Sequence, residues 1–288
     1  MQEPQTDPAQ AQRERQRQQE KLKERMGRIR HKIVVLSGKG GVGKSTVAAN
    51  LAVALAGERR KVGLLDADFH GPSVPKLLDL ERSQVMSDGE NIMPATYGPD
   101  LRVMSIAFLV QDPDEAVIWR GPLKMNVLRQ LLADVDWGEL DCLVVDLPPG
   151  TGDEPLSICQ LIPEATGGIV VTTPQDLSVS DVRKCITFCR KLELPVLGVL
   201  ENMSGFICPN CGQEAHIFGQ GGGRALADDM DVPFLGGVPI DPNVVRASDE
   251  GEPFVARDPD SPAAQAFLEA VAPITAIVSE GHEEESES

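Results

Sequence analysis

The apolar run Ile33-Val34-Val35-Leu36, the loop Gly38-Lys39-Gly40-Gly41-Val42-Gly43-Lys44-Ser45-Thr46 and the run Val47-Ala48-Ala49-Asn50-Leu51-Ala52 narrow the folds open to this chain more than any other feature. A near-continuous apolar strand is what a parallel sheet covered by helices on both faces requires. The loop fits the pattern G-x-x-x-x-G-K-[ST], with a strand before it and a helix after it, as that motif needs. Its glycines let successive N–H groups turn toward a phosphate, and the helix N-terminus adds its positive dipole. In such a loop Lys44 reaches the β- and γ-phosphates and the Ser45 hydroxyl ligates Mg²⁺. The candidate nucleotide-binding residues are therefore Gly38, Gly40, Gly41, Val42, Gly43, Lys44, Ser45 and Thr46.

Two further apolar runs end in carboxylates. Lys61-Val62-Gly63-Leu64-Leu65 leads into Asp66-Ala67-Asp68, and Leu140-Asp141-Cys142-Leu143-Val144-Val145 into Asp146-Leu147-Pro148-Pro149-Gly150. Ligands of open α/β sheets sit at the carboxyl ends of the strands, and Mg²⁺ prefers oxygen ligands. Asp146 and Asp66 join Ser45 as the Mg²⁺ candidates. A single aspartate there would more often form a turn or a helix cap. Beside a phosphate loop, several of them read as a site.

Further strands are expected at residues 101–106, 168–171, 195–200 and 233–236, with helices at 123–133, 182–192 and 221–229. The fold class that follows is α/β, a doubly wound, mostly parallel sheet with helices on both faces. With 41% hydrophobic residues, the chain can bury one core of good size, assigned to residues 32–278. Residues 1–31 are rich in Gln, Arg, Glu and Lys and lack an apolar stripe, so a solvated helix or disordered arm is expected. Residues 279–288 read as an acidic disordered tail, and no apolar stretch looks long enough to span a membrane.

Of six cysteines, Cys142, Cys159, Cys185 and Cys189 lie in apolar strand or helix patterns and read as small buried hydrophobes. Cys208-Pro209-Asn210-Cys211-Gly212 differs, because two thiolates at this spacing in a Pro/Gly turn make half of a tetrahedral site. Two copies of the chain would complete it, around an iron–sulfur cluster or a zinc ion. His216 completing a zinc knuckle and a redox pair are the other readings.

Lys39, one place after the first glycine, resembles the second lysine of the deviant phosphate loops of MinD, ParA and the nitrogenase iron protein. That likeness implies a dimer in which Lys39 crosses to the partner's phosphates as a catalytic cation. It also implies that Asp68 orients or deprotonates the attacking water. The stretch Phe69-His70-Gly71-Pro72-Ser73-Val74-Pro75 would be switch I, and Gly150-Thr151-Gly152-Asp153 resembles switch II. Together with Asp146-Leu147-Pro148-Pro149, Glu201-Asn202-Met203-Ser204 and the cysteine pair, these motifs resemble the Mrp/ApbC family of ATP-dependent iron–sulfur cluster carriers, from about residue 32 to about residue 270. The resemblance implies a cytoplasmic homodimer that binds ATP and Mg²⁺ and holds a labile [4Fe–4S] cluster on Cys208 and Cys211 of both subunits. It implies cluster scaffold proteins and apo iron–sulfur proteins as partners. Asn202 matches the position that reads adenine, and Pro239 falls where such proteins lay backbone against the base. Because Cys142 is the first cysteine, the bridging cluster is the one expected.

The net charge of −17 opposes binding to nucleic acid or to anionic membranes, so neither is expected as a partner. That weighs against the alternative, a regulatory or partitioning ATPase of the MinD/ParA type holding zinc or no metal. It would also suit a salt-loving cytoplasm, although an ordinary acidic protein reads the same way.

Overall fold

The computed structural model describes residues 8–110, 121–207, 211 and 213–280. The chain runs α1 (Pro8–Gly27), β1 (Ile29–Ser37), α2 (Lys44–Gly57), β2 (Val62–Asp66), α3 (Val74–Leu77), β3 (Met86–Ser87), β4 (Ile92–Met93), β5 (Ala95–Tyr97) and β6 (Leu101–Ser105). There follow α4 (Gly121–Ala133), β7 (Leu140–Asp146), α5 (Asp153–Leu161), β8 (Gly167–Thr172), α6 (Asp176–Lys191), β9 (Val196–Ile207) and β10 (Glu214–Ala215). The last elements are α7 (Gly222–Asp229), β11 (Phe234–Ile240), α8 (Pro242–Asp249), α9 (Phe254–Arg257) and α10 (Pro262–Ser279).

Among the described residues, one sheet has the order β10-β9-β8-β1-β7-β2-β6-β5, with β11 also on β9. Only β5 and β10, at its ends, run antiparallel to their neighbours. The alternation of side chains along each strand divides the core in two. Ile33 and Val35 of β1, with Cys142 and Val144 of β7, face the cluster built on α2 and α10. Val34, Leu36, Leu143 and Val145 face the opposite cluster, which holds residues of α4, α6 and α7. Both faces of the central strands are buried, which is why those stretches are apolar throughout. The chain leaves β1 toward β2 and β7 on one side and reaches β8 on the other. The loop after β1 therefore lies at the switch point of the sheet, where a ligand crevice forms.

Three expectations are corrected. First, the solvated arm expected over residues 1–31 is docked at its end. Met26 is fully buried and Leu22 packs on the same cluster, giving the last two turns an i, i+4 apolar pair. Lys21 and Arg25 reach Asp134 and Asp136 at 2.7 Å, and Arg25 also bonds Asn91. Buried Lys32 donates to the carbonyls of Ile29 (2.9 Å) and Met26 (3.2 Å), giving the Met26 carbonyl a partner that the end of α1 lacks within the helix. Second, β9 runs past residue 200 to Ile207. The polar residues Glu201 and Asn202 hide that extension from an apolar pattern. Third, α10 has the length and composition to cross a membrane, 18 residues with mean hydropathy 1.3. Its stripe of Phe267, Val271, Ile274 and Val278 is instead buried in the core against β11.

Candidate nucleotide site

The loop residues predicted to cradle phosphate lie together at the carboxyl end of β1. Gly43 stands at φ +84° as the residue preceding α2, with no side chain capping that helix. The first N–H groups of α2 thus lack side-chain partners, which is the condition for binding an anion. A Cβ on Gly43 would come within 2.2 Å of Asn202 Nδ2, and one on Gly38 within 2.5 Å of Asp181 Cβ. Glycine at these places lets β9 and α6 close on the loop.

Buried Lys44 sets its Nζ 2.5 Å from Asp146 Oδ1, 3.4 Å from Ser45 Oγ and 4.0 Å from Asp68 Oδ2. Asp146 and Asp66 are register partners across β7 and β2, and both are fully buried. Asp66 accepts hydrogen bonds from Ser105 Oγ (3.0 Å) and from the N–H groups of Asp68 and Val74 (both 3.2 Å). Burial, then the charge of Asp146, pushes its carboxyl up to about 7. Burial also raises Asp146, against the opposing pull of Lys44 and the Ser45 hydroxyl. Asp146 Oδ2 is buried without a hydrogen-bond partner. An orphaned carboxylate oxygen beside a serine hydroxyl and a second fixed carboxylate suits a hard cation with oxygen ligands.

The remaining predicted residues surround this centre. Asp68 is buried, and its Oδ1 accepts the His70 N–H at 3.1 Å. Lys39 turns along its own chain, where Nζ donates to Gln175 Oε1 at 3.3 Å. Gly150 donates its N–H to Ser37 O at 2.8 Å, joining the start of the switch II stretch to the end of β1. Asn202 Nδ2 donates to Val42 O at 2.9 Å. Asn202 is also the register partner of Val238, which sets Pro239 beside the same corner of the loop.

The cysteine pair follows the same strand in the sequence. Beyond Asn202, β9 pairs antiparallel with β10, Phe206 with Ala215 and Ile207 with Glu214. Cys211 is exposed between those two strands, while Cys208 lies outside the described residues. Glu201, one place before Asn202, is buried, and its Oε2 accepts the Gly223 N–H at 2.6 Å, fixing β9 to the first turn of α7. The other thiols are unlike Cys211. Cys142, Cys185 and Cys189 are fully buried, and burial pushes Cys185 up to about 12 and Cys189 to about 11. Partly covered Cys159 is raised to about 12 by the same cause. These thiols stay protonated near neutrality, in keeping with their reading as small hydrophobes.

The sequence reading assigns no role to four residues close to this site: Gln175, Lys124, Glu154 and Glu201, the last named only as part of a motif. A buried charge on an otherwise apolar strand was the available signal for Glu201. None of the other three belongs to a local motif.

The profile of the ParA group described as NUBPL iron-transfer P-loop NTPases matches residues 28–275. The chain belongs to this family. The iron–sulfur cluster carrier protein of Methanocaldococcus jannaschii is 51% identical over 238 residues, covering 83% of this chain and 82% of that protein. The protein of the same description from Saccharolobus solfataricus is 48% identical over 258 residues, covering 90% and 87%. Among solved structures, a nucleotide-binding protein of Archaeoglobus fulgidus in complex with ADP superimposes with TM-score 0.75 at 41% identity, over 86% of this chain and 96% of the other. MinD of Pyrococcus horikoshii with Mg-ADP gives TM-score 0.64 at 25% identity, over 88% and 98%. The fold described above is thus shared with these two nucleotide-bound proteins.

Proposed function

We propose that this chain is a cytoplasmic, ATP-hydrolysing carrier that takes up an iron–sulfur cluster between two copies of itself and delivers it to apo-proteins. The observation that carries this reading is the course of β9. One strand contacts the phosphate loop through Asn202 and, a few residues on, enters the hairpin that bears Cys211. The names of the relatives at about half identity support the same cargo.

In this reading the N-terminus of α2 and Lys44 bind the phosphates, with Lys44 leaving Asp146 for the β- and γ-phosphoryl oxygens. Ser45, Asp66 and Asp146 would hold Mg²⁺, which neutralises charge on the β- and γ-phosphates. Asp68, held by the His70 N–H, orients the attacking water. Lys39 leaves Gln175 to meet the γ-phosphoryl group of the partner copy, adding a cation where charge develops in the transition state. Asn202 exchanges the Val42 carbonyl for adenine, with the backbone at Pro239 against the base. Cys208 and Cys211 of each copy supply the four thiolates that a [4Fe–4S] cargo takes. Clients are scaffold proteins, as donors, and apo iron–sulfur proteins, as acceptors.

The test is transfer. Protein loaded anaerobically with iron and sulfide is mixed with an apo-dehydratase that needs a [4Fe–4S] cluster, with and without ATP. Recovery of dehydratase activity by wild type and its loss in Cys208→Ser/Cys211→Ser supports the carrier reading. Tight zinc on the pair, with no cluster uptake, would replace it with a nucleotide-switched binding protein of the MinD/ParA type.

A further inference from the structure

A second cluster of charged side chains lies outside the phosphate loop and touches both segments that flank it. Lys124, in the first turn of α4, has a side chain only 10% exposed. Its Nζ hydrogen-bonds Glu154 Oε1, approaches His70 Nε2 at 3.1 Å and stands 5.5 Å from the centroid of the Phe69 ring. An ammonium group only donates, so His70 Nε2 is the acceptor and the imidazole carries its proton on Nδ1. Glu154 feels opposing influences. Burial pushes its carboxyl up, but the bond and charge of Lys124 prevail and hold it below the usual carboxylate range. Helix geometry gives no reason for this lysine, because a cation in a first turn opposes the helix dipole and its desolvation costs free energy. What compensates is contact with two other segments. His70 lies two residues past Asp68, whose Oδ1 holds the His70 N–H, and Glu154 is the second residue of α5, just after the loop at 150–152.

We propose that Lys124 is a positioning residue that couples the segment carrying Asp68 to the segment opening α5, so that both respond together to a γ-phosphate. The proposal rests on the nucleotide reading given above. The amine is a shared partner of His70 and Glu154, and removing it leaves the two segments only the longer, exposed contact of His70 Nε2 with Glu154 Oε1 at 3.4 Å. Asp68 then loses its fixed aim, while the phosphate-binding groups are untouched. The expected signature is a loss in kcat without a matching change in KM.

The experiment compares wild type, Lys124→Met, which keeps an unbranched side chain of similar length without the charge, and the exchange Lys124→Glu/Glu154→Lys. ATP turnover, thermal midpoint and amide hydrogen exchange over residues 67–75 and 150–158 are measured with and without adenylyl imidodiphosphate. In wild type the analogue protects both segments together. In Lys124→Met kcat falls about tenfold with KM within about twofold, protection of the two segments no longer moves together, and the exchanged pair recovers most of the turnover. Unchanged kcat and still-paired protection in Lys124→Met would overturn the proposal. So would a fall in kcat that follows a lowered thermal midpoint and gains nothing from the charge exchange. Wild type without turnover would overturn the hydrolysis reading instead, and the exchange data with the analogue would still decide the coupling.

Discussion

The phosphate loop and the cysteine hairpin share β9 but are built on opposite terms. At the loop, Lys44, Asp66 and Asp146 are all buried, each with partners inside the chain, and Asn202 holds the loop backbone. At the hairpin, β10 has two residues and Cys211 is exposed. Preorganised, desolvated charge grips a ligand firmly, because little has to be rearranged on binding. An exposed thiol on a short hairpin grips weakly and can be reached by an acceptor, which is what a delivered cargo requires. Under the proposed function, the contrast within one chain is between a site made to hold and a site made to release.

The sharpest way to break the comparison is to fill the space at the loop. Gly43→Val adds a branched side chain at φ +84°, where a Cβ already meets Asn202 Nδ2 at 2.2 Å. Nucleotide affinity should fall at least about a hundredfold, while reconstituted iron content stays at the wild-type value. Calorimetric titration with ADP checks the first half and iron analysis the second. Loss of both would mean that the two sites fold as one.

Next in size is the docked end of α1. Met26→Ala should cost about 3 kcal/mol in urea denaturation, since the side chain is wholly buried. Nucleotide affinity should not change, because α1 meets the sheet away from the loop. An unchanged midpoint would return residues 1–31 to a solvated arm.

Smaller is the effect of pH on the buried carboxylates. The Asp66 carboxyl is raised from an ordinary 3.8 to about 7 in the folded chain, so the folded state holds more protons between those values. Its contribution to stability is present below about pH 4 and is lost as pH rises through about 7, with about 2 to 3 kcal/mol of that loss falling between pH 5 and pH 8. Denaturation of the nucleotide-free protein at pH 5 and pH 8 should display that loss, and Asp66→Asn should flatten the difference. A slope identical in wild type and variant would mean that Asp66 is not the group responsible. The smallest effect is expected at Cys185→Ala, about 1 kcal/mol in stability with full cluster loading, because that thiol is buried and protonated.

How far these features could be read in advance follows from how local they are. The phosphate loop, Asp66, Asp68 and Asp146 each sit at or just past the end of an apolar strand, and the structure brings Asp146 and Asp68 within 4.0 Å of Lys44, with Asp66 paired to Asp146. The central strands were legible because burial on both faces leaves an unbroken apolar run. The extension of β9 was not, since Glu201 and Asn202 interrupt the pattern for reasons set by α7 and the phosphate loop. Nor was the docking of α1, which depends on two apolar residues and ion pairs to positions more than a hundred residues away. The cluster of His70, Lys124 and Glu154 joins residues 30 to 84 apart in the chain, and no spacing rule reaches that far.

The central claim, a firm nucleotide site and a releasable cargo site joined by β9, is tested most directly by the iron content of mixed dimers. Wild type and the Cys208→Ser/Cys211→Ser variant, separately tagged, are co-expressed, and the mixed species is purified and reconstituted anaerobically beside wild type. The account predicts about four irons per wild-type dimer, almost none in the mixed dimer, and equal ADP binding by both. A mixed dimer that holds a full cluster, or half the wild-type iron, would contradict a cargo shared between two copies.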